Sequence, residues 1–129
     1  MTSQKVAETK AKAVERGCKM YIVVNADLKM GKGKTCAQCG HAVAEWTRRL
    51  EHIPTPEYKA WLEEGEPKIV VKAEEETLLK FCAAYPDLTY GVHDAGRTQI
   101  PKGSLTTVAF QPLSPASAAA VELGKLKLL

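Results

Sequence analysis

Met20-Tyr21-Ile22-Val23-Val24-Asn25-Ala26 runs directly into Asp27-Leu28-Lys29-Met30-Gly31-Lys32-Gly33-Lys34. The first seven residues are β-branched and nearly continuous in apolarity, which predicts a strand buried on both faces. The next stretch is a basic, glycine-rich loop. A helix is expected from about Lys34 to Leu50. A buried strand, a short loop and a long helix are the opening of an α/β layered fold.

Outward from this unit, the pattern continues. Thr55-Pro56 supplies an N-cap and a proline at the first helical position, so a second helix should run through Trp61 and Leu62 and end at Gly65. Lys68 to Ala73 reads as another strand. Glu74 to Tyr85 reads as a helix with acids in its first turn, where the helix dipole favours them. Leu88–His93 and Leu105–Gln111 read as two strands joined by the Asp94–Ser104 loop. Ser114-Pro115 should start a last helix that Gly124 stops, leaving Lys125–Leu129 as a tail. The expectation from this order is an α/β layered single domain with a mixed sheet. Residues 1–17 are expected to form a polar helical or disordered arm, and residues 18–129 the domain.

The chain has 129 residues, enough for one real core, and a formal net charge of +3. That charge permits a polyanionic partner without demanding one. The clustering of Lys29, Lys32 and Lys34 says more. No apolar run approaches the ~18–20 residues that span a bilayer, and no secretory signal opens the chain, so a soluble, cytoplasmic protein without a membrane partner is expected. Four cysteines in a reducing compartment should be free thiols.

Two segments carry the chemistry. Free N–H groups at the start of a helix attract phosphate, glycines allow close approach, and lysines add charge. The spacing is not that of a Walker A loop. Within the helix, Lys34, Gln38 and His41 form a polar stripe, while Cys36, Ala37, Gly40, Val43, Ala44 and Leu50 share a broad apolar face. The second segment is Asp94-Ala95-Gly96-Arg97-Thr98-Gln99-Ile100, which begins where a strand ends. Thr106 should open the returning strand, so Asp94, Thr98 and Thr106 can face one cleft. Against these stand plain alternatives: a solvated loop, a solvated helix face, and a turn in which Asp94 caps backbone amides.

Cys36-Ala37-Gln38-Cys39 has thiol–disulfide redox spacing. The redox arrangement needs a low-pKa cysteine at the very start of the helix, whereas Cys36 is expected on the apolar face as a buried small hydrophobe. Cys18, Cys82, His52 and His93 offer no zinc-ligand spacing, so no metal site is expected.

Taken in order, these residues resemble the archaeal and eukaryotic type of peptidyl-tRNA hydrolase, from about Met20 to Leu129. The resemblance includes the Asp27-Leu28 strand end, Met30-Gly31-Lys32-Gly33-Lys34, Ala37-Gln38 and His41-Ala42. It continues through Gly65-x-Pro67-Lys68-Ile69-Val70-Val71-Lys72, the whole Asp94–Ile100 segment, Pro112 and Leu126-Lys127-Leu128. It implies an α/β, three-layer single domain with a mixed four-stranded sheet and helices on both faces, and hydrolysis of the ester joining a peptide to the tRNA 3′ ribose, with no cofactor. It places active-site residues on Lys34, Gln38, Asp94, Thr98 and Thr106, and His41 also matches. The chain departs from the family at Asn25, where an arginine is usual, and at Val108-Ala109-Phe110-Gln111, where glycines are usual.

The chemistry of the residues is compatible with that implication. Asp94 or His41 can orient and deprotonate water, and Lys34, Gln38, Thr98 and backbone amides of the Asp94 loop are candidate oxyanion donors. Lys29, Lys32 and Arg97 can hold tRNA phosphates. Peptidyl-tRNA is the expected partner, and a homodimer is compatible with the sequence. Two rival classes are a non-catalytic RNA-binding module of the same fold and a thiol oxidoreductase using Cys36 and Cys39.

Overall fold

The computed structural model describes residues 16–95, 100–101 and 103–129. The expected 1–17 arm therefore falls almost wholly outside the described residues. The elements are β1 (Met20–Asn25), a 3₁₀ turn (Ala26–Leu28), α1 (Lys32–His52), α2 (Pro56–Glu63) and β2 (Lys68–Ala73). They continue with α3 (Glu75–Ala84), β3 (Thr89–His93), β4 (Leu105–Phe110), α4 (Ala118–Leu123) and β5 (Lys127–Leu128). The sheet order is β3-β4-β1-β2-β5. β1 and β2 are parallel, while the β1–β4, β3–β4 and β2–β5 pairs are antiparallel. The sheet is mixed, as expected, but has a fifth strand. Lys127–Leu128, read from sequence as a tail, pairs with Val71 and Lys72 on the β2 edge.

Two cores lie on opposite faces of the sheet, because β1 alternates between them. Met20 and Ile22 join Ala42, Trp46, Leu50, Tyr58 and Trp61 of α1 and α2. Tyr21 and Val23 join Leu78 and Phe81 of α3 and Ala119, Ala120 and Leu123 of α4. Burial of this apolar surface is the main stabilising term. Both buried tryptophan N–H groups are paired: Trp46 Nε1 donates to Ala109 O at 2.9 Å and Trp61 Nε1 to Pro67 O at 2.7 Å. Tyr58 donates to Glu51, and its burial, aided by that carboxylate, pushes the phenol up to about 12.

Helix ends follow local chemistry. Thr55 Oγ1 accepts Tyr58 N–H at 3.1 Å with Pro56 in the first turn. The last helix starts later than Ser114-Pro115 suggested. Ser114 O accepts Ser117 N–H in a turn, and Ser117 caps Ala120 N–H instead. Gly124 closes that helix as expected. Among the described residues no helix is long and apolar enough to cross a membrane.

α1 does not bury the face expected of it. Thr35, Gln38, Ala42, Trp46 and Leu50 are buried, while Cys36, Ala37, Gly40 and Ala44 are exposed. Trp46 and Leu50 bury more apolar area than the small residues, so they fix the helix rotation. That rotation turns Gln38 toward the sheet and leaves Cys36 in solvent.

Candidate active site

α1 begins at Gly31, which caps it without a side chain, so its first N–H groups lack intrahelical partners. Thr35 closes the first turn by donating from Oγ1 to Gly31 O at 2.9 Å. No acid lies in that turn; Lys32 and Lys34 do. Lysines there oppose the helix dipole, which makes the end electropositive. Lys29, held at φ 49°, and Lys32 are exposed, and neither has an ion-pair partner among the described residues.

Lys34 is engaged. Its ammonium forms an ion pair with Asp94, whose side chain is 2% exposed against 18% for Lys34. A charge pair this sheltered is stable only while both partners remain. Asp94 is fixed through its backbone as well: its N–H donates to Ser104 O, and its carbonyl accepts Gly103 N–H, both at 2.9 Å. His93 Nδ1 lies 3.1 Å from Gly103 O, so that nitrogen carries the proton. These bonds close the neck of the loop that carries Asp94.

Beside this pair, Gln38 Oε1 accepts the Thr106 hydroxyl at 2.7 Å. Thr106 Oγ1 also lies 3.0 Å from Val92 O. The one hydroxyl proton is shared between these two acceptors, of which Gln38 Oε1 is the nearer. With Oε1 so engaged, the Gln38 amide directs its NH₂ away from Thr106. Thr106 is fully buried and occupies a bulge: Val92 pairs with Thr107, but His93 pairs with Leu105. The next residue, Thr107, pairs with Val92 and is also fully buried, yet its Oγ1 has no hydrogen-bond partner among the described residues.

Lys34, Ala37, Gln38, His41, His93, Asp94 and Ala95 line one open cleft of about 460 Å³. Four residues named from sequence, Lys34, Gln38, His41 and Asp94, therefore converge, and Thr106 touches Gln38 from behind. His41 is exposed at the cleft. Thr98 and Arg97 lie outside the described residues. Lys29 and Lys32 stand on the loop before α1, outside the cleft lining. His93 and Ala95 were not singled out as site residues; their positions beside Asp94 at the strand end were the available signal. Among the described residues no disulfide joins the cysteines. Cys39 is partly buried, and that burial, together with the nearby Cys36, raises its thiol pKa. A thiol shifted upward is the opposite of an activated redox cysteine.

A parallel β1–β2 pair covered by helices thus carries a Lys-Asp-Gln cleft beside a basic helix start. Comparison with known proteins agrees on the family. The family model described as "Peptidyl-tRNA hydrolase PTH2" matches residues 18–129. Human "Peptidyl-tRNA hydrolase 2, mitochondrial" is 44% identical over 114 residues, which are 85% of this chain and 63% of that protein. The bovine protein of the same name gives the same figures. "Peptidyl-tRNA hydrolase" of Saccharolobus islandicus is 39% identical over 119 residues, covering 86% of this chain and 98% of that protein. The chain belongs to the peptidyl-tRNA hydrolase PTH2 family. It spans 63% of the length of the human and bovine relatives.

Proposed function

We propose that this chain hydrolyses the ester between a peptide, or an N-blocked amino acid, and the 3′ ribose of tRNA. The observation that carries the reading is the sheltered Lys34–Asp94 pair beside Gln38 in one cleft, next to an electropositive helix start. Family membership and the printed names of the relatives support it.

Ester hydrolysis needs a positioned water, a group to take its proton, and donors for the oxyanion. Asp94 is assigned to the water, with the Lys34 ammonium as its ion-pair partner. The Lys34 ammonium and the Gln38 NH₂ are assigned to the oxyanion, because they are fixed before substrate arrives. Thr106 has no exposed surface and positions Gln38 instead of touching substrate. His41, at the open side of the cleft, is the alternative base. Thr98 belongs to the same chemical centre in this reading. Lys29, Lys32 and Arg97 hold tRNA phosphates, which set position without reading sequence. A free α-ammonium would meet like charge near Lys34, so an unblocked aminoacyl-tRNA should be a poor substrate.

The test is direct. Pure protein is incubated with N-acetyl-aminoacyl-tRNA, and release of the N-acetyl amino acid is followed. Release well above spontaneous hydrolysis supports the proposal. Folded protein that gives only the spontaneous rate overturns it.

A further inference from the structure

Asn25 ends β1 with 1% of its surface exposed, and its side-chain amide is used on every side. Its Oδ1 accepts Asp27 N–H at 3.0 Å, which turns the chain into the 3₁₀ segment and the basic loop. Its Nδ2 donates to Leu105 O at 2.8 Å and to Glu75 Oε1 at 3.3 Å. Asp27 in turn accepts Glu75 N–H at 2.9 Å at the start of α3.

The Leu105 contact falls at a defined place. The β1–β4 ladder runs Ile22–Ala109, Val23–Val108, Val24–Thr107 and stops there. The next residues are Asn25 and Thr106, and Thr106 is the bulge residue. Where backbone pairing ends, the Asn25 side chain grips the carbonyl of Leu105, the residue just before Thr106. That carbonyl is buried between strands, and its loss of a donor would carry a desolvation penalty. Thr106 in turn fixes Gln38 at 2.7 Å.

We propose that Asn25 is a positioning residue for the cleft: through the Leu105 carbonyl it holds the Thr106 bulge, and through Thr106 it sets the orientation of the Gln38 amide. The assignment rests on the hydrolase reading above. Asn25 is buried and does not itself line the cleft. It ties the base of the basic loop to the chemical centre, so one side chain keeps the phosphate-facing loop and the reacting groups in register.

Asn25→Asp removes both donors and keeps the size. Single-turnover and steady-state hydrolysis of N-acetyl-aminoacyl-tRNA is measured for wild type and variant, together with the Gln38 side-chain amide and Thr106 backbone amide signals by NMR. The expected result is a fall in kcat of about ten- to hundredfold, a KM within about twofold of wild type, and displaced Gln38 and Thr106 signals. Signals from α4, such as Ala120, should stay in place. Should Asn25→Asp fail to fold, Asn25→Ser carries the same test, since its shorter side chain cannot span to Leu105. A folded variant with normal kcat, or with unmoved Gln38 and Thr106 signals, overturns the assignment. A wild type without turnover overturns the hydrolase reading itself and this assignment with it.

Discussion

Gln38 and Thr106 meet at 2.7 Å although 68 residues separate them in the chain. The bond joins α1 to the bulge of β4 and orients the Gln38 amide. It also accounts for a polar residue on the buried face of a helix. A buried amide costs little when its partner is in place, and much when the partner is removed.

Thr106→Val keeps the shape and removes the bond. Turnover should fall by about ten- to hundredfold with tRNA binding little changed. Gln38→Ala should cost about 10²–10³-fold, the usual loss for an oxyanion donor. Because Thr106 acts through Gln38, the double variant should be no slower than Gln38→Ala alone. Fully additive losses in single-turnover rates would show that Thr106 acts independently.

Thr107→Val tests the unpartnered hydroxyl. Replacing a buried, unsatisfied polar group by an apolar one of the same shape should leave stability unchanged or raise it by about 1 kcal/mol. Thermal or denaturant unfolding reads this out. A clear loss of stability would mean that the hydroxyl has a partner in solution.

The thiols should be dispensable. Cys36 is exposed, so Cys36→Ala should shift stability by less than about 0.5 kcal/mol and leave hydrolysis near wild type. Cys39 has a raised pKa, so less of it is thiolate at neutral pH. Alkylation should therefore label Cys36 before Cys39, and mass spectrometry of partly labelled protein reports the order. The reverse order, or loss of turnover in a folded Cys36→Ala variant, would revive a thiol mechanism.

The basic loop should show itself in salt dependence. Lys29→Ala and Lys32→Ala should each weaken tRNA binding and lower the slope of log K against log salt by about one or less. An unchanged slope in the double variant would place the phosphates elsewhere.

The sequence made some of this legible and hid the rest for physical reasons. β1 and β2 stand out because runs such as Ile22-Val23-Val24 and Ile69-Val70-Val71 have few other uses. β5 does not, since a two-residue strand has no periodicity and owes its existence to the open edge at Val71 and Lys72. The expected α1 face is right at Leu50 but wrong at Cys36, Ala37, Gly40 and Ala44, because it leaves out Trp46, whose size decides the rotation. Lys34, Gln38, His41 and Asp94 stand out by charge, polarity and the family resemblance, and they line one cleft. The bulge at Thr106 and the reach of Asn25 to Leu105 were not legible. Both are defined by pairing with residues far away in the chain, 80 residues in the case of Asn25.

The most direct test of the central claim is the single-turnover rate of Asp94→Asn on N-acetyl-aminoacyl-tRNA, with tRNA affinity measured in parallel. Asn keeps the shape and removes the charge that faces Lys34. The expected result is a loss of about 10²–10⁴-fold in rate, with tRNA binding unchanged or tighter because a negative charge has gone. A folded Asp94→Asn protein that turns over at a near-normal rate would contradict it, and would leave Asp94 as a structural partner of Lys34.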